Sequence, residues 1–82
     1  MTEADRKRAT SLLVTLLFAG GAGQARQLRD ELEQVHGVVV TLDRVRQDLN
    51  NLHDLGLIQK IADTVALTQE GRETAQGTRK LP

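Results

Sequence analysis

The stretch that decides the fold is VRQDLNNLHDLGLI, residues 45–58. Its valine and first two leucines recur at steps of three and four residues, which is the spacing of one face of an α-helix. The stripe begins one turn earlier, at Leu42, and Gly56 is the residue type that commonly stands just after a helix C-terminus. Thr41 is a good N-cap, because its hydroxyl oxygen can accept a backbone N–H of the first turn. The pattern therefore predicts a helix over residues 41–55.

Two further helices are predicted upstream of this one. Apolar side chains recur at helical steps between residues 2 and 19, and Thr2-Glu3-Ala4-Asp5 resembles a capping box, so the first helix is expected over residues 2–19. The same spacing predicts a second helix over residues 24–36, ended by Gly37. The glycine-rich segment GGAG, residues 20–23, lies between them and is expected to form a flexible connection.

Shorter elements are predicted around the third helix. The β-branched run Val38–Val40 favours a very short strand over residues 38–40. Apolar runs on both sides of Ala62-Asp63-Thr64 predict a β-hairpin over residues 57–67, which we expect to pair with that strand. Thr68 is a suitable cap for a last short helix over residues 69–76, which has so little apolar surface that it needs a packing partner. These elements predict an α+β fold.

Composition limits the function classes. The 82 residues contain 11 Lys and Arg against 11 Asp and Glu, one aromatic residue and no Cys. A chain of this length is expected to form a single domain, residues 1–82, too small for a large internal substrate cavity. Disulfides, thiolate metal sites and cysteine nucleophiles are excluded. The longest apolar-rich stretch is far shorter than the ~20 residues that cross a bilayer. We therefore expect a small cytoplasmic binding protein, with no membrane partner and no enzymatic activity.

Other functional patterns are weak. A glycine-rich loop before a helix can cradle phosphate, but residues 20–23 are followed by neither the lysine nor the hydroxyl residue of a nucleotide-binding loop. His36 and His53 lack the ligand spacing of a metal site, and His36 is better explained as a helix C-terminal residue. Ser11 has no catalytic partners in a recognisable pattern. We expect no metal, no cofactor and no small-molecule substrate.

Residues 45–58 carry a resemblance to a known family when they are taken together with Leu67-Thr68-Gln69-Glu70-Gly71-Arg72. The chain resembles the winged helix-turn-helix domains of bacterial MarR-, ArsR- and PadR-type regulators. In those families a helix ending in L-x-x-L-x-x-x-G-L-I precedes the wing, and L-T-x-x-G-R begins the next helix. The match covers about residues 24–75. It implies the order helix, helix, short strand, helix, hairpin wing, short helix.

The resemblance also implies a mode of action. The second helix would pack across the third, the third would enter the DNA major groove, and the wing would touch the backbone or the minor groove. On the face opposite its leucines, the helix over residues 41–55 carries polar side chains. These can bond base edges, since Asn and Gln pair with adenine and Arg with guanine. The expected base or groove readers are Arg44, Arg46, Gln47, Asn50 and Asn51. The expected phosphate contacts are Arg26, Arg29, Thr41 and Lys60.

The charge balance argues in the other direction. The third helix carries two Arg against three Asp, so its net charge is −1. Much of the affinity for DNA comes from basic residues that displace counterions from phosphates, and a neutral chain has little global attraction to offer. The first helix is richer in leucine than a monomer needs, and this predicts a dimer seam there. We expect a homodimeric, sequence-specific double-stranded DNA-binding transcriptional regulator; the alternative is a winged-helix module that docks proteins and binds little or no DNA.

Overall fold

The computed structural model describes residues 2–82. The elements along this part of the chain are α1 (Glu3–Phe18), β1 (Ala22–Gln24), α2 (Ala25–His36), α3 (Leu42–Asp54), β2 (Ile58–Ile61), β3 (Thr64–Leu67) and α4 (Gln69–Gln76). The strands form one antiparallel sheet in the order β1-β3-β2. The predicted α+β class is confirmed. None of the helices in the described part has the length and apolar character needed to cross a bilayer.

The helices begin and end within one residue of the predicted ranges, because local capping signals determine their ends. Thr2, Thr41 and Thr68 each accept a backbone N–H from the residue three positions later. Thr2 and Asp5 complete a capping box at the start of α1. Gly37 ends α2 in the left-handed conformation with φ 67°, which glycine adopts without a steric penalty.

The core lies between the three long helices and the sheet. Its fully enclosed side chains come from four elements and the turn before β2: Leu12, Leu13, Leu16, Leu28, Leu32, Val45, Leu52, Leu57 and Ile58. Complete burial of a leucine or valine stabilises the fold by roughly 1.5–3 kcal/mol. Three of the four leucines of α1, Leu12, Leu13 and Leu16, are enclosed here, whereas Leu17 is half-buried. The dimer seam on α1 stays a prediction, with Leu17 as the leucine that could contribute to it.

The predicted strand over residues 38–40 is wrong. These residues form the irregular connection between α2 and α3. The Val38 N–H donates to the Leu32 carbonyl at 2.9 Å, so it closes the end of α2 instead of joining a ladder. Val38 and Val40 are half-buried against the core, whereas Val39 is exposed. Strand propensity is a preference for packing on a sheet, and this connection lies between two helices.

The third strand of the sheet is β1. Its first two residues belong to the segment that was predicted to be a flexible connection, and Gln24 follows that segment. The hairpin of β2 and β3 is present, but it pairs with β1 and not with residues 38–40. Gly23 is opposite Val65, and the Gly21 carbonyl accepts the Leu67 N–H at 2.8 Å. The hairpin turn is Ala62-Asp63, since Ile61 already pairs with Thr64. The glycines before α2 thus allow a short edge strand.

The packing partner that α4 needs is α1, together with the turn before β2. Gly71 is buried, and a Cβ there would overlap the Leu57 carbonyl oxygen. The same carbonyl accepts the Thr68 N–H at 3.1 Å. Glycine at position 71 therefore lets α4 approach the backbone of Leu57, which lies between the end of α3 and the start of β2.

Candidate nucleic-acid interface

An open cleft of about 400 Å³ lies between the start of α2, one side of α3 and the β2–β3 hairpin. Its polar lining includes Arg26, Arg46, Asn50, Lys60 and Asp63, and we call this space the basic cleft. Three cations face one carboxylate there, so the cleft is positive on a chain whose formal charge is zero. It is the place where basic residues from three elements converge.

Each element supplies its residue for a local reason. Arg26 is in the first turn of α2, which starts directly after β1. Arg46 and Asn50 are one turn apart on α3 and share a side of the helix. Lys60 is on β2 opposite Val65, and its Nζ donates to Asn50 Oδ1. That hydrogen bond joins the hairpin to α3 across the floor of the cleft.

The other predicted base readers lie on the opposite side of α3. Arg44, Gln47 and Asn51 line a shallow depression together with Asp5 and Asp54. The Arg44 guanidinium donates to Gln47 Oε1 at 2.7 Å and to Asp5 Oδ1 at 3.4 Å. The five predicted readers are thus divided between a hairpin side of α3 (Arg46, Asn50) and an α1 side (Arg44, Gln47, Asn51).

Asp5 stays ionised on the α1 side. The hydrogen bond from Arg8, followed by those from the backbone and side chain of Thr2, lowers the pKa of Asp5 to about 2. Its carboxylate is therefore negative throughout the pH range in which nucleic acids are bound. The depression holds two carboxylates, those of Asp5 and Asp54, beside Arg44, so this side of α3 is less positive than the basic cleft and electrostatically the poorer surface for DNA.

The charge balance of α3 differs from the one expected from sequence, because Asp48 is internal. Only 4% of Asp48 is exposed, and the Arg8 guanidinium binds its carboxylate through Nε and through Nη2, the latter at 3.0 Å. The pairing with Asp48 raises the pKa of Arg8 further above its ordinary value. The exposed charges of α3 are two Arg against Asp43 and Asp54, so its surface is neutral and not negative.

Sequence reasoning missed this ion pair, although part of the signal was present. Asp48 is three residues after Val45 and four before Leu52, which places it on the apolar stripe of α3. An acid on a buried stripe calls for a buried cation. The partner, Arg8, lies forty residues earlier, and spacing alone does not single it out from its basic neighbours.

Two of the predicted phosphate contacts lie outside the basic cleft. Arg29 is not among the lining residues, and its guanidinium bonds the neighbouring Asp30 at 3.2 Å. Thr41 is exposed at the start of α3, and its oxygen accepts the Arg44 N–H at 3.1 Å. Its hydroxyl proton can still donate to an anion. Arg26 and Lys60 are the two that the cleft brings together with α3.

The arrangement of possible metal ligands gives no candidate metal site. Within residues 2–82 no group of three or more His, Asp or Glu side chains is placed so as to hold an ion.

Comparison of the chain with family models, with curated proteins and with solved structures finds no match.

Proposed function

We propose that the chain is a winged helix-turn-helix protein that binds double-stranded DNA in a sequence-specific way. In this proposal α3 enters the major groove, α2 crosses the backbone, and the β2–β3 hairpin is the wing. Such a protein would regulate transcription in the cytoplasm. A homodimer would bind two half-sites one helical turn apart. Leu12, Leu13 and Leu16 of α1 are enclosed in the core, so the dimer contact would have to use other residues.

The observation that carries the proposal is the convergence of Arg26, Arg46 and Lys60 on one cleft beside the polar face of α3. A duplex presents a phosphate for every ~1.7 Å of its axis, and its major groove is ~12 Å wide, enough to admit a helix. With 13 residues, α3 is about 20 Å long. A helix lying in the groove would hold the start of α2 and the hairpin over the flanking backbone, where the cations of the cleft are needed.

The neutral net charge is compatible with this proposal because the acids are unevenly distributed. Asp48 is inside the protein with Arg8. Asp5 is paired with Arg8 and Arg44, away from the cleft. Asp63 is the carboxylate that remains among the cleft residues. Phosphate contacts depend on charge within about one Debye length, ~8–10 Å in physiological salt, so the local balance matters more than the total.

Charge-matched triple variants test the proposal. Replacing Arg26, Arg46 and Lys60 by Ala removes three cations from the cleft, and replacing Lys7, Arg79 and Lys80 by Ala removes three cations elsewhere. In mobility-shift titrations the cleft variant is expected to bind DNA much more weakly. Its slope of log affinity against log salt should be shallower by up to ~2, since Arg26 and Lys60 are the expected phosphate contacts and each accounts for ~0.9. The control variant should keep most of the affinity and the slope.

Two results would contradict the proposal. Equal losses in both variants would mean that the cleft is not the binding surface. Failure of the unmodified protein to bind any duplex at low salt, on the order of 50 mM, would favour the alternative, a winged-helix module that docks another protein.

A further inference from the structure

We propose that Arg46 is the residue that determines base specificity, by selecting a guanine, and that Arg44 makes no base contact. This inference rests on the proposed DNA-binding function. It separates two arginines that are two positions apart on the same helix and that sequence reasoning places in one set of readers.

Arg46 has the free functional group that base reading requires. Its guanidinium lies on the wall of the basic cleft and is exposed. No residue in the described range 2–82 forms a hydrogen bond or an ion pair with it. A guanidinium presents a planar fork of donors that matches the O6 and N7 acceptors of guanine in the major groove. Arg46 can form both bonds without first breaking any contact within the protein.

Arg44 is engaged inside the protein. One Nη donates to Gln47 Oε1 at 2.7 Å and the other to Asp5 Oδ1 at 3.4 Å. To read a base, Arg44 would have to give up both bonds, and the released Asp5 carboxylate would then face the DNA. Asp54, which is exposed, lies in the same depression. Gln47 already accepts from Arg44 through Oε1, so a bidentate contact of Gln47 with adenine would compete with that bond.

Asn50 binds Lys60 at the side of the basic cleft. Its Oδ1 accepts from Lys60 Nζ, so a bidentate contact of Asn50 with adenine would have to share that oxygen with the lysine. The same bond holds the lysine over the side of α3, where a phosphate would lie. Asn50 is therefore a positioning residue for Lys60, and Arg46 is left as the group on the hairpin side that can read a base edge.

The matched variants Arg46→Ala and Arg44→Ala test this assignment, because each removes one exposed guanidinium from α3. Duplexes bound by each variant and by the unmodified protein are selected from a random pool, and affinities for the selected sequence and its single-base changes are measured. The unmodified protein and Arg44→Ala should share a preference for guanine at one position. Arg46→Ala should lose about 5- to 150-fold of discrimination at that position, the range for one bidentate base contact. Amide spectra of both variants establish that the fold is retained.

The possible results separate this inference from the function on which it rests. If the unmodified protein selects no sequence and binds no duplex, the proposed function is wrong and the inference falls with it. If it selects a sequence but Arg44→Ala loses a base preference, or Arg46→Ala keeps the guanine preference, DNA binding stands and the assignment of Arg46 is overturned.

Discussion

Replacement of Arg8 by Met removes the cation that holds α1 against α3 from inside the fold. The side chains of Arg8 and Asp48 are 12% and 4% exposed, so the Asp48 carboxylate would remain buried without its charged partner. Loss of one member of a buried pair costs roughly 3–5 kcal/mol, and the slight exposure of Arg8 favours the lower end. A chain of 82 residues has a total stability of about 4–12 kcal/mol, so a large part would be lost.

Urea denaturation followed by circular dichroism measures this change. With a urea dependence of ~1–1.5 kcal/mol per molar for a domain of this size, the unfolding midpoint of Arg8→Met should fall by about 2–3 M. Lys7→Met is the matched control, because Lys7 is an exposed cation on the same helix. Its midpoint should change little, as expected for surface substitutions that affect stability by within about 0.5 kcal/mol.

The double variant Arg8→Met with Asp48→Leu distinguishes charge from packing. A buried ion pair replaced by apolar residues of similar volume is often neutral or stabilising, so this variant should recover most of the stability lost in Arg8→Met. The reasoning is refuted if Arg8→Met is no less stable than Lys7→Met. It is also refuted if the double variant is as unstable as the sum of the two single changes, which would mean that the residues are not coupled.

Three further changes test other parts of the structure. Gly71→Ala should destabilise the protein by about 3 kcal/mol or more, because the new Cβ would overlap the Leu57 carbonyl oxygen. Overpacking costs ~1–3 kcal/mol even where side chains can adjust. An unchanged melting temperature would contradict the close approach of α4. Ala62→Gly should leave the stability equal or raise it by up to ~1.5 kcal/mol. Ala62 has φ 55° in the hairpin turn, and relief of left-handed strain (~1–2 kcal/mol) is partly offset by the backbone entropy of glycine (~0.5–1 kcal/mol). A clear loss of stability in chemical denaturation would disprove the strain. The stability of Asp5→Asn should depend less on pH between about 4 and 2 than that of the unmodified protein. The pKa of Asp5 is about 2 in the folded protein, against an ordinary value of 3.8. The stabilisation by its carboxylate is therefore complete above pH 4 and disappears as the pH falls through 2. Parallel melting curves for both proteins across that pH interval would show that Asp5 has no such role.

The helices were predictable from sequence because their signals are local. Thr41 and Thr68 cap α3 and α4, and apolar steps of three and four give the buried face of each long helix. The strands were less predictable. Residues 22–24, AGQ, have little strand propensity, and β1 is a strand through its tertiary pairing with β3, in which Gly23 lies opposite Val65. Val38–Val40 have high propensity but are placed between two helices, so tertiary position overrides the local preference.

The sequence predicted which residues belong to the candidate site, but not how they are arranged around α3. The resemblance indicated Arg26, Arg46 and Lys60, and the structure brings them to one cleft. The difference between Arg46 on the hairpin side and Arg44 on the α1 side depends on Asp5, which bonds Arg44 from a position 39 residues earlier. Spacing within a helix gives the direction of each side chain, but it does not identify the groups that another helix places beside it.

The central claim is that a duplex binds in the basic cleft against α3. The most direct measurement is a titration of isotope-labelled protein with a short duplex at low salt, followed by backbone amide shifts. Concentration-dependent shifts are expected at Arg26, Arg46, Asn50 and Lys60, with α4 unaffected, and these shifts should be lost at high salt. Shifts confined to other surfaces, or none at all at the lowest salt, would contradict it.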